Sequence, residues 1–195
     1  MRRLILASTS RYRRELLSRL RLPFEVQAPD AAEDAIAGEP PAAMAARLAM
    51  AKARSIRGPG VVVIGSDQVA SLEGRLLRKP GGHAAALAQL QACQGKTVLF
   101  HTAAVVLDTA SGSAAAHTDR TEVRFATLDE AALDRYVRLE EPYDCAGSFK
   151  AEGLGVALFA SIDSSDPTAL IGLPLIWLAA ALRAAGVDPL RSVDS

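Results

Sequence analysis

The chain has 195 residues, half of them apolar, with 22 basic side chains against 22 acidic ones. That length buries roughly 70% of the surface its unfolded form exposes, enough for a core without a disulfide framework or a structural metal. The balanced charge lacks the cationic excess of proteins that coat nucleic acid or anionic membranes, and the longest apolar stretch, Ala169 to Leu182, falls short of the about 20 residues that cross a bilayer.

In chain order, Arg3 to Ala7 reads as a strand, too short an apolar run after Arg2 and Arg3 for a secretion signal, so a cytoplasmic protein is expected. A helix follows over about Tyr12 to Leu20, then a Pro-rich acidic loop from Pro29 to Pro41, then a helix from about Ala42 to Arg57. The run Val61 to Ile64, bounded by Gly60 and Gly65, reads as a buried strand ending at Ser66 and Asp67, with a hairpin turning at Glu73 and Gly74 beyond it. Gly82 to Cys93 reads as helix, and Thr97 to Leu107 pairs with Thr118 to Phe125 around the loop at Ser111 to Ser113. Thr127 and Glu130 form a capping box for a helix through Val137. Gly155 to Ile162 reads as a strand, Asp163 to Thr168 as a loop, and Pro174 to Ala185 as a closing helix stopped by Gly186. The expected architecture is a single mixed α/β domain over residues 1–195.

Four features bear on chemistry. Ser8, Thr9 and Ser10 lie between a strand and a helix, where hydroxyls and first-turn amides favour an anion. Arg13 falls within the stripe of Leu16, Leu17 and Leu20, so it faces a cleft or snorkels to solvent. Lys52 lies in the stripe of Met44, Ala45, Leu48, Ala49 and Ile56, opposite Arg47, Arg54 and Arg57. A buried ammonium needs an anionic partner, either a protein carboxylate or a phosphate. Lys is also rare here: 18 of the 22 basic residues are Arg, with Lys only at 52, 79, 96 and 150. Asp67, at the end of the Val-rich strand, suits a catalytic or metal-binding carboxylate or a simple turn former, and Glu33 sits in an acidic loop beside Asp30 and Asp34. Paired carboxylates with several cations suit metal-assisted attack on a phosphate. The sequence holds no Walker glycine loop and no HExxH, GxSxG or GxGxxG segment.

These residues resemble the Maf, or septum-formation-inhibitor-like, family of nucleoside triphosphate pyrophosphatases. The resemblance is carried by Leu4-Ile5-Leu6-Ala7-Ser8-Thr9-Ser10 with Arg13 and Arg14, Gly65-Ser66-Asp67-Gln68, Lys79-Pro80, Gly147-Ser148-Phe149-Lys150-Ala151-Glu152-Gly153 and Ile171-Gly172-Leu173-Pro174, in the family's order. It implies a central twisted sheet flanked by helices, a central nucleotide cleft, an ITPase-like fold and a homodimer. It also implies hydrolysis of a nucleoside triphosphate substrate between the α and β phosphates with Mg²⁺ or Mn²⁺ as cofactor. Ser8, Ser10, Arg13, Lys52 and Lys79 would then hold phosphates, Glu33 would help hold the metal, and Asp67 would be the water-activating base or a metal ligand.

Gln68, Cys145 to Lys150 and Glu152 resemble the branch described as 7-methyl-GTP pyrophosphatases. Methylation leaves that guanine cationic, so Tyr12 could stack on it with a cation–π component and Glu152 could accept hydrogen bonds from its N1 and exocyclic amine edge. The alternatives are a dTTP or UTP pyrophosphatase of the same family and a non-catalytic nucleotide-binding regulator of septum formation. Arg11 stands where the family usually has Pro, within reach of either phosphates or base.

Overall fold

A computed structural model describes residues 2–191. Its elements are, in order, β1 (Leu4–Ala7), α1 (Arg11–Ser18), β2 (Glu25–Gln27), α2 (Pro41–Ser55), β3 (Val62–Leu72), β4 (Arg75–Leu77), α3 (His83–Cys93), β5 (Thr97–Asp108), β6 (Ala114–Phe125), α4 (Glu130–Glu140), β7 (Phe159–Asp163) and α5 (Leu175–Ala184). The strands form one mixed sheet in the order β2-β1-β3-β5-β6-β7, with β4 paired to β3. The α/β class and the sheet flanked by helices match the sequence expectation. Among the described residues no helix is long and apolar enough to cross a membrane.

Within the described residues the chain packs as two compact units, the first comprising residues 2–68, 102–119 and 166–191 and the second residues 69–101 and 120–165. In the first unit, β1 and the start of β3 run parallel, pairing Leu4 with Val62 through Ala7 with Gly65. Their apolar side chains join Leu16 and Leu17 of α1 and Leu178 and Leu182 of α5 in one buried cluster. In the second unit, Phe100, Phe125, Phe149 and Phe159 meet edge to face, with centroids 4.7 to 5.8 Å apart. Phe149 belongs to the Gly147 to Gly153 segment, so that motif is rooted in an aromatic core.

Several sequence expectations are corrected. The strand begun at Val62 does not stop at Asp67 but continues to Leu72, and Glu73 and Gly74 turn it into β4 as expected. Its partner β1 is what ends: the pairing of β3 with β1 stops at Gly65 and that with β4 starts at Ala70. Asp67 therefore lies mid-strand at the carboxyl end of β1. Strand β2 was not expected, because Glu25-Val26-Gln27 is largely exposed and held by backbone pairing to β1 rather than by an apolar pattern. Asp129, not Thr127, caps α4, its carboxylate accepting from the Ala132 amide at 2.7 Å. The Gly155 to Ile162 run divides into a 3-10 turn, Leu154–Leu158, that buries Gly155 and Leu158, followed by β7.

Candidate active site

The first unit brings Ser8, Ser10, Arg13, Glu33, Lys52, Asp67 and Gln68 onto one scaffold. The closest association is ionic. The Lys52 ammonium lies 2.6 Å from Asp67 Oδ1 and 2.7 Å from Glu33 Oε1. Lys52 is 6% exposed and Asp67 8%, so this charge is largely removed from water and depends on its two carboxylates. Of the two partner types open to Lys52 on sequence grounds, the structure supplies protein carboxylates.

Local packing explains the contact. Gly65 lies against α2, where an added Cβ would stand 2.2 Å from the Ala49 carbonyl oxygen and 2.8 Å from the Ala53 Cβ. Only hydrogen fits there, and the helix consequently lies close enough to β3 for Lys52 to meet Asp67. Glu33 is exposed and comes from the loop before α2. That loop is fastened by Arg47 of α2, whose guanidinium makes two 2.7 Å bonds to the Glu39 carboxylate and donates to the Asp34 carbonyl at 3.0 Å. Sequence reading placed Arg47 on the solvent face and missed this role; the acidic loop eight residues before it was the available signal.

Arg13 turns inward as its helical position suggested, its Nε donating to the Gly172 carbonyl at 2.9 Å. Ser66 Oγ donates to the same oxygen at 3.1 Å. Burial lowers the Arg13 pKa while Asp67 and Glu33 pull it back up, and a guanidinium stays protonated in either case. Ser66 and Gly172, quoted within motifs on sequence grounds but given no task, thus meet at the inward-turned Arg13. Ser8, also buried, accepts from the Ser10 amide at 3.1 Å, and Ser10 caps α1 by accepting from the Arg13 amide at 3.4 Å.

Gln68 is committed within the protein, its amide nitrogen donating to Thr102 Oγ1 at 2.9 Å and to the Ala169 and Leu170 carbonyls at 3.0 Å. Beside Gly172, this ties the 169–172 turn to β3 at a second point. The Arg11 guanidinium lies 4.7 Å from the centroid of the Tyr12 ring and donates to the Tyr12 hydroxyl at 2.6 Å, so the ring expected to stack on a cationic base already carries a cation.

Lys79 and Glu152 belong to the second unit, where both are exposed. Lys150 bonds the Glu140 carbonyl and lies 3.7 Å from the Glu140 carboxylate. The backbone amide of Lys150 donates to the Tyr136 hydroxyl at 3.1 Å, and burial raises the pKa of that phenol.

Glu33 and Asp67 also pass a chemical test for a divalent ion. Their oxygens converge on a single cationic group, and two carboxylates suit a hard ion that keeps several waters and takes its remaining ligands from phosphates.

Residues 3–185 match the family model described as Maf-like protein. A protein of Albidiferax ferrireducens named 7-methyl-GTP pyrophosphatase is 56% identical over 191 residues, 97% of this chain and 96% of that one. Proteins of the same name are 58% identical in Burkholderia pseudomallei, over 94% of this chain and 88% of the relative, and 56% identical in Cupriavidus metallidurans, over 94% and 93%. A solved HAM1 protein from Coxiella burnetii aligns at 15% identity and a TM-score of 0.46, over 78% of this chain and 89% of that one. Matched by the family model along nearly its whole length and more than half identical to these relatives, the chain belongs to the Maf-like protein family.

Proposed function

We propose that this protein is a nucleoside triphosphate pyrophosphatase that hydrolyses 7-methyl-GTP to the monophosphate and pyrophosphate. The observation that carries the reading is the buried Lys52 ammonium joined to Asp67 and Glu33 beside the inward-turned Arg13. Two carboxylates and two cations on one scaffold supply both halves of what a metal-bound triphosphate requires. The names of relatives at 56 and 58% identity support the choice of 7-methyl-GTP.

In this reading Glu33 and Asp67 hold a divalent ion, Mg²⁺ or Mn²⁺. When bound, that ion stabilises negative charge on phosphoryl oxygens. Arg13 and Lys52 bind and orient the phosphates, with the Ser8 and Ser10 hydroxyls beside them. Asp67 accepts a proton from the water that attacks the α phosphorus. As that new P–O bond forms, the bond from the α phosphorus to the bridging oxygen breaks and its electrons leave with pyrophosphate. For Lys79 as a phosphate ligand and Tyr12, Gln68 and Glu152 as base-selecting residues, the support is the sequence resemblance. A homodimer is proposed on the same ground, and a cytoplasmic location as expected from the sequence.

The test is pyrophosphate release from 7-methyl-GTP, GTP, dTTP, UTP and ITP with Mg²⁺ or Mn²⁺. The highest kcat/KM is expected for 7-methyl-GTP. Preference for a pyrimidine keeps the chemistry and discards the base assignment, and tight nucleotide binding without turnover in either metal replaces the enzyme by a regulator.

A further inference from the structure

Lys52 stands at the oxygens that the proposed function gives to a divalent ion. Its ammonium is 2.6 Å from Asp67 Oδ1 and 2.7 Å from Glu33 Oε1. A divalent cation on those same oxygens would meet a like charge at contact distance in a largely buried place, so ion and ammonium are mutually exclusive there. A triphosphate supplies the alternative partner that an ammonium displaced from these carboxylates needs.

We propose that Lys52 is an exchangeable counter-ion: it holds Glu33 and Asp67 together until a metal–nucleotide complex arrives, then passes from the carboxylates to the phosphates as the metal takes its place. This rests on the reading of Glu33 and Asp67 as metal ligands. No bond is made or broken in the exchange, and each charge is paired before and after it. Two carboxylates face Lys52 and the nearby Arg13 before, and a divalent ion after, when both cations face the triphosphate.

The residue type fits this task. An Arg at position 52 would lock onto a carboxylate through a planar fork, whereas Lys is a compact charge with three donors on a flexible stem. In a chain with 18 Arg and four Lys, position 52 carries Lys. One carboxylate is fixed and the other adjustable: Asp67 is buried mid-strand, while Glu33 is exposed on a loop held through its neighbours Asp34 and Glu39. The consequence is that bare metal binds this protein poorly and enters with the nucleotide.

The experiment is Mn²⁺ binding to nucleotide-free protein, followed by the paramagnetic resonance of free Mn²⁺, in wild type, Lys52→Gln, Lys52→Gln/Glu33→Gln and Arg54→Gln. Arg54 is an exposed cation on the same helix and controls for net charge. Lys52→Gln is expected to bind Mn²⁺ at least tenfold more tightly than wild type, the double variant to lose that gain, and Arg54→Gln to stay within about twofold of wild type. Equal affinity in wild type and Lys52→Gln, or binding to neither, overturns the proposal. If the loss of Lys52 weakens folding, the shift in unfolding temperature caused by Mn²⁺ is read instead; a shift no larger in Lys52→Gln than in wild type overturns it equally. Wild-type pyrophosphate release with and without a chelator, on the same preparation, tests the underlying function. Turnover with unchanged Mn²⁺ affinities sinks only the exchange, while the expected affinities without turnover sink only the pyrophosphatase.

Discussion

Arg13 Nε donates to the Gly172 carbonyl at 2.9 Å, joining two residues 159 positions apart in the chain. Its other guanidinium nitrogens are thereby given a fixed direction, and the Ile171-Gly172-Leu173-Pro174 motif acquires a task. Gly172 has φ +131°, and an added Cβ would sit 3.6 Å from both Cγ and Nε of Arg13.

Replacing Gly172 with Ala places a side chain on a backbone that L-residues avoid, at a cost of about 1 to 3 kcal/mol. Urea unfolding is expected to show that loss, and kinetics a raised KM for 7-methyl-GTP as relief of the backbone strain moves the Gly172 carbonyl that holds Arg13. An unchanged KM in folded Gly172→Ala would detach the turn from phosphate binding.

Gly65→Ala acts at the other contact. Its Cβ, 2.2 Å from the Ala49 carbonyl, must push α2 away from β3 and separate Lys52 from Asp67. Overpacking of this kind costs about 1 to 3 kcal/mol or more. Both stability and kcat/KM should fall, and a crystal structure of the variant should show the Lys52–Asp67 distance lengthened.

Asp67→Asn removes the proposed proton acceptor and half of the proposed metal site. Turnover should drop by about 10² to 10⁴, with native circular dichroism retained, since Glu33 still pairs with Lys52. Activity within tenfold of wild type would remove Asp67 from the mechanism.

Glu152→Gln tests the proposed base selection. The ratio of kcat/KM for 7-methyl-GTP over UTP is expected to fall by about tenfold, equivalent to about 1.4 kcal/mol. An unaltered ratio would strike Glu152 from the base-reading residues.

Acid should weaken the first unit through Asp108. The Arg2 guanidinium, aided by the Ala110 amide, holds the Asp108 carboxyl well below the usual carboxylate range. An unfolded Asp titrates near about 3.9, so below that pH the unfolded chain binds a proton that the folded chain refuses. The stabilisation is complete above about pH 5 and is lost as the pH falls through the folded value. Urea midpoints from pH 7 to pH 3 should therefore decline less steeply in Asp108→Asn than in wild type.

Local patterns made much of this protein legible from its sequence. The three-to-four-residue period of α2 placed Lys52 on a buried face, the stripe of α1 turned Arg13 inward, and the Val-rich run marked β3. Such signals are local because helix and strand each repeat over a few residues, and an ionisable residue out of phase with its neighbours stands out. Partners are a different matter. That Lys52 meets Asp67 and Glu33, that Arg47 fastens the acidic loop, that Gln68 is spent on the 169–170 carbonyls and that Gly172 orients Arg13 depend on which distant segments approach one another. The position of Asp67 shows the same division. The sequence placed it at a strand end, but the strand that ends there is β1, and only the pairing of β1 with β3 reveals it. Side-chain period is written along the chain, whereas pairing is decided by packing between segments, which no single window of sequence contains.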